Sequence, residues 1–133
     1  MKKMTPLIAV ESIEPCLPFW TSLGFETALT VPHEDTTGFA ILVRDGLELM
    51  YQTRASLAAD LEASGAPAGT STELERSTSV LYVEVEQLED VLPALEGVEV
   101  LVPRRRTFYG ADEVFVRAPC GTVVGFAARA EEA

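Results

Sequence analysis

Apolar and polar positions alternate between two spacings along this chain, and the alternation is written twice. Residues 6–10 read PLIAV, a short apolar run with strand character. Next comes a segment in which Ile13, Leu17 and Trp20 recur at helical spacing behind Ser12 as N-cap, closed by Gly24. FETALTVP, GFAILVR and LELMYQT then read as strands, the last two joined by Asp45–Gly46, a strong hairpin signal. From residue 80 the order returns. VLYVEV reads as a strand, Leu88, Val91, Leu92 and Leu95 form a helical stripe closed by Gly97, and VEVLVP, DEVFVRAP and TVVGFAA read as strands. The link between strand and helix is nearly the same phrase both times: VESIEPCLP at residues 10–18 and VEQLEDVLP at residues 85–93, identical at five of nine positions.

The pattern predicts an α+β fold made of two tandem β-α-β-β-β modules, residues 4–53 and 78–129, in one domain spanning 1–133. Residues 54–77 join them as a short helix followed by a Gly, Pro, Ser and Thr-rich linker. One such unit cannot cover both faces of its sheet. Two can keep their helices outside and curl their strands around a cleft, the usual setting of a ligand site.

Composition narrows the function classes. A net charge of −11 disfavours nucleic acid and anionic membranes. The six-residue apolar run near the N-terminus is too short for a signal peptide or a membrane span. Cys16 and Cys120 suggest no disulfide framework, so a reducing cytoplasm is the expected location. Cys120 has no histidine near it in sequence to activate it, so it is not read as a nucleophile.

The stretches VxxIExxLPFWxxLGFE near the start and FYGxxExFVRxPxGxVVGFA near the end resemble the vicinal oxygen chelate superfamily. That group includes glyoxalase I, fosfomycin-resistance enzymes, extradiol dioxygenases and bleomycin-resistance proteins. The resemblance covers roughly residues 4–128 and implies four inward metal-ligand positions, which fall here on Thr5, Glu48, Val80 and Gly125. Val80 and Gly125 offer no ligand atom and Thr5 only a weak one, so no metal and no cofactor is expected. His33, the single histidine, sits in the loop-like VPHED.

Strand alternation around those positions turns Leu7, Glu48, Met50, Gln52, Tyr82 and Glu84 toward the cleft. Phe39, Phe108 and Tyr109 are candidates for a rim that stacks on planar ligands. Glu48 and Glu84 could hold a cationic group, could act as acid or base, or could reach solvent or pair with an arginine such as Arg117. Phe19 and Trp20 read as core. Arg104–Arg106 reads as a solvated loop offsetting nearby acids. The resemblance implies a metal-independent small-molecule binding protein of the bleomycin-resistance kind, acting by sequestration on a cationic or aromatic ligand, as a homodimer. The alternative is a metal-independent lyase, isomerase or hydrolase with Glu48 or Glu84 as base.

Overall fold

A computed structural model describes residues 3–76, 79–107 and 110–129. It divides into two compact units, residues 1–78 and 79–133. The first holds β1 (Leu7–Val10), α1 (Leu17–Ser22), β2 (Glu26–His33), β3 (Thr36–Arg44), β4 (Leu47–Thr53), α2 (Arg54–Ala63) and α3 (Thr70–Glu75). The second holds β5 (Val80–Glu84), β6 (Glu99–Arg106), β7 (Ala111–Arg117) and β8 (Val123–Arg129). Hydrogen bonding groups the strands into two four-stranded mixed sheets, ordered β1-β4-β3-β2 and β5-β8-β7-β6. The fold is α+β, and the two sheets share one topology.

They also share a register. Leu7 pairs with Met50 and Tyr82 with Gly125, so one sequence offset carries both members of the parallel pair from the first unit into the second. On β3 and β7 the offset is one residue smaller, because Ile41 faces Met50 and Phe115 faces Gly125. Asp45 and Gly46 form the expected two-residue turn, both at positive φ, the geometry that matches the twist of a hairpin.

Period-two alternation gives each sheet a packed face and an open face. In the first unit Val10, Ala40, Leu42, Leu49 and Tyr51 are buried together with Ile13, Phe19, Trp20 and Leu23 from the α1 region. The Trp20 indole N–H donates to the Tyr51 hydroxyl at 2.7 Å, and its ring meets Phe19 and Phe25 edge-on. Phe19 and Trp20 are therefore core, as their spacing suggested. In the second unit Val114, Val116, Val124 and Phe126 are buried together with Leu88, Val91 and Leu95.

Four expectations are corrected. The helix read over Leu88–Leu95 is two short 3-10 turns, Leu88–Asp90 and Leu92–Leu95. Pro18 and Pro93 each interrupt the α hydrogen-bonding pattern, since proline has no N–H to give. After Pro18 the chain runs six residues to Gly24 and winds α1. After Pro93 it runs four to Gly97, too few for an α turn. The linker is not structureless after α2, since it contains α3. Arg104–Arg106 is the end of β6 rather than a loop. Cys16, fully buried, is disulfide-bonded, which removes the ground on which a reducing compartment was expected. No helix among the described residues is long and apolar enough to cross a membrane.

Candidate ligand-binding site

The open face of the first sheet is built by registered rows. Leu7, Met50, Ile41 and Leu29 lie side by side across its four strands, and Ala9, Gln52, Phe39 and Val31 form the next row. Leu7, Leu29 and Val31 remain about half exposed, while Met50, Ile41 and Phe39 are intermediate. Gln52 belongs to this face but is buried, its amide donating to Ser56 Oγ at 3.2 Å and to Asp60 at 3.5 Å on α2. Thr53 caps that helix by accepting from the Ser56 N–H, which holds α2 against the end of β4.

Glu48 stands at the edge of the same face. Its carboxylate is paired with the Lys3 ammonium and accepts from the Thr5 hydroxyl at 3.1 Å. The bond from Lys3, more than the opposing desolvation, holds its pKa below the ordinary carboxylate value. Such a group is a ready anion and a weak base.

In the second sheet the rows are more polar. Tyr82, Gly125, Phe115 and Val102 lie across one row, and Glu84, Ala127, Glu113 and Arg105 across the next. Glu113 has no exposed surface. It accepts from the Tyr82 hydroxyl at 2.7 Å on one oxygen and from Arg105 at 2.7 and 3.2 Å on the other. The rings of Tyr82 and Phe115 are 6.1 Å apart, tilted by 44°. Tyr82 is 48% exposed, and Glu84 is exposed at the end of β5. Sequence reasoning passed over Glu113 and Arg105. The signal was present in DEVFVR, where Val114 and Val116 on the packed face turn Glu113, Phe115 and Arg117 to the face of Tyr82.

The four metal positions implied by the sequence resemblance do not fit a divalent ion. Thr5 is bound to Glu48, and Glu48 to Lys3. Val80 is half exposed and carries no donor atom. At Gly125 a side chain would collide with the Phe115 ring, since an added Cβ would lie 2.5 Å from its nearest atom. By ladder register the counterpart of Glu48 in the second unit is Val123, and that of Gly125 in the first is Met50, neither a hard-metal ligand.

Phe108 and Tyr109 lie outside the described residues. His33 is the half-buried last residue of β2 rather than a loop residue, and its Cβ leaves no room for a side chain on Gly38. Arg117 pairs with Glu99 at 2.9 Å, not with Glu48 or Glu84. Arg104 bridges Glu89 and Asp112, at 2.7 Å to each, and its hydrogen bonds hold both carboxylates below their ordinary pKa. The arginine run thus offsets acids, as expected, but from a strand. A shallow, open depression of about 500 Å³ lies between Glu14 and the β2–β3 turn, and none of the predicted site residues lines it.

Comparison with known proteins places this geometry. No family model matches the chain, and no curated protein matches it significantly. Solved structures do. TioX from Micromonospora sp. ML1 is 18% identical over 97% of this chain and 99% of its own, with a TM-score of 0.71. A glyoxalase/bleomycin resistance protein/dioxygenase from Nocardioides is 21% identical over 98% of this chain and 84% of its own, at 0.65. The bleomycin resistance determinant encoded on transposon Tn5 is 14% identical over 97% and 98%, at 0.65. At these identities the likeness is one of fold.

Proposed function

From a chain with the fold of the vicinal oxygen chelate superfamily, we propose a protein that binds a small organic molecule on the open faces of its sheets without a divalent metal. The carrying observation is the Phe115 ring packed against Gly125, where a metal-dependent relative would need a ligand side chain. The surfaces left open suit an organic cation or an amphipathic aromatic compound. Leu7, Phe39 and Met50 supply apolar area in the first unit, Tyr82 supplies an exposed ring in the second, and Glu48 and Glu84 supply negative charge within a chain of net charge −11. Sequestration of such a ligand is the role by analogy with the resistance determinant of similar fold. A homodimer completes the proposal, as a way of covering exposed strand edges. The reading in which Glu48 is a catalytic base loses ground, because its carboxylate is held as the anion by Lys3 and Thr5.

The test is fluorescence titration with proflavine, a planar aromatic cation, on wild type, Glu48→Gln and Glu84→Gln, with elemental analysis of the same protein. Saturable binding, weakened about tenfold or more by one of the two substitutions, and well under one equivalent of metal are expected. A stoichiometric transition metal, or no saturable binding, refutes it.

A further inference from the structure

The open face of the second sheet says more about the ligand than its apolar area does. Tyr82 gives its hydroxyl proton to Glu113 at 2.7 Å. Glu113 is fully buried and salt-bridged to Arg105, and a carboxylate in that state only accepts. The proton that Tyr82 commits to Glu113 cannot also be given to a ligand, so the phenol oxygen meets a ligand as an acceptor. We propose that Tyr82, oriented by the buried Glu113, is an acceptor site selecting ligands that carry N–H donors on the edge of an aromatic plane: planar aryl amines and amidines.

This rests on the small-molecule reading above and names the ligand class within it. Three features of the same unit converge on it. Tyr82 is half exposed, so its oxygen lies on an accessible face. The neighbouring Phe115 ring, 6.1 Å away, fills the space over Gly125 and extends the aromatic surface beside it. Arg105, at 53% exposure the cationic member of the cluster, is matched one to one by the buried Glu113 carboxylate. The cluster is therefore neutral as a whole and does not repel a cationic amine as a bare arginine would. Glu113 is a positioning residue in this scheme, since it acts through Tyr82.

Proflavine and acridine orange separate the idea from its alternatives. Both are planar acridinium cations, but the exocyclic nitrogens of acridine orange are methylated and have no N–H to donate. The readout is the ratio of their dissociation constants on wild type and on Tyr82→Phe, with circular dichroism confirming the fold. The preference for proflavine should fall by between about twofold and tenfold in Tyr82→Phe, the range of one net hydrogen bond. An unchanged ratio, with both dyes bound, overturns this inference and leaves the binding reading standing. Absence of saturable binding by either dye overturns both. Glu113→Gln provides the second arm. Gln can donate as well as accept and carries no charge to hold Arg105, so it should move the ratio in the same direction while the Tyr82 ring remains. A Glu113→Gln ratio equal to wild type would refute the positioning role.

Discussion

A methyl group at position 125 is the sharpest probe of how the second sheet closes its face. The added carbon of Gly125→Ala would lie 2.5, 2.8 and 2.9 Å from three atoms of the Phe115 ring. Ordinary carbon contacts sit near 3.5–4.0 Å, so the ring must withdraw by roughly 1 Å. Overpacking of this kind costs about 1–3 kcal/mol. Gly125 lies in regular strand rather than at positive φ, so alanine also gains about 0.4–1 kcal/mol by restricting the unfolded chain. The net expectation is a loss of about 1–2 kcal/mol. Urea unfolding of wild type, Gly125→Ala, Phe115→Leu and the double variant measures it as a cycle. If the ring is the obstacle, the alanine penalty disappears in the Phe115→Leu background, a coupling of about 1 kcal/mol or more. Equal penalties in both backgrounds, or a stabilising alanine in wild type, would show that the ring does not occupy that space.

Tyr51→Phe takes the acceptor from the buried Trp20 indole and should cost about 1–3 kcal/mol in chemical denaturation, with a shifted Trp20 emission; a neutral substitution would deny that hydrogen bond. Arg104→Gln should change the acid limb of stability. Glu89 and Asp112 have folded pKa values below their ordinary 4.5 and 3.8, so their contribution is fully present above those values and fades as pH falls through the lowered ones. The stability gap between wild type and Arg104→Gln, measured from urea midpoints, should therefore be steady near neutrality and shrink below about pH 4; a gap that widens on acidification contradicts the assignment. Adding Zn²⁺ or Ni²⁺ in equimolar amount should leave the thermal midpoint of the protein unchanged, and a clear upward shift would count against the metal-free reading.

The sequence made the strands legible because their alternation is strong and the repeat supplies each assignment twice. Leu7 with Met50 and Tyr82 with Gly125 show that the duplication extends to individual ladder pairs. What escaped was set by small differences in length and by side chains meeting across strands. The two-residue shortening between Pro93 and Gly97 turned a predicted helix into 3-10 turns, although its buried stripe of Leu88, Val91 and Leu95 was right. Leu92, counted in that stripe, is only half-buried. Glu113 looked like an ordinary polar strand residue. Its burial depends on Tyr82 and Arg105, which are 31 and 8 positions away and come together only through the register of β5, β6, β7 and β8. The Lys3 contact with Glu48 was likewise beyond local pattern, since 45 residues separate the partners.

The order of strands within each sheet also dictates the order in which the chain can find it. The β2–β3 and β3–β4 hairpins close across two-residue turns, so they form from neighbours. By contrast β1 must reach β4 across the 43 residues from Leu7 to Met50, and β5 must reach β8 across the same distance from Tyr82 to Gly125. Closing such loops carries an entropy cost before any contact rewards it, which makes these two strands the latecomers in refolding. They are also the strands that lead into the duplicated phrase. Each half thus leaves a seat open for a partner whose sequence has a near-copy elsewhere in the same chain, and the kinetic trap to look for is β5 docked where β1 belongs.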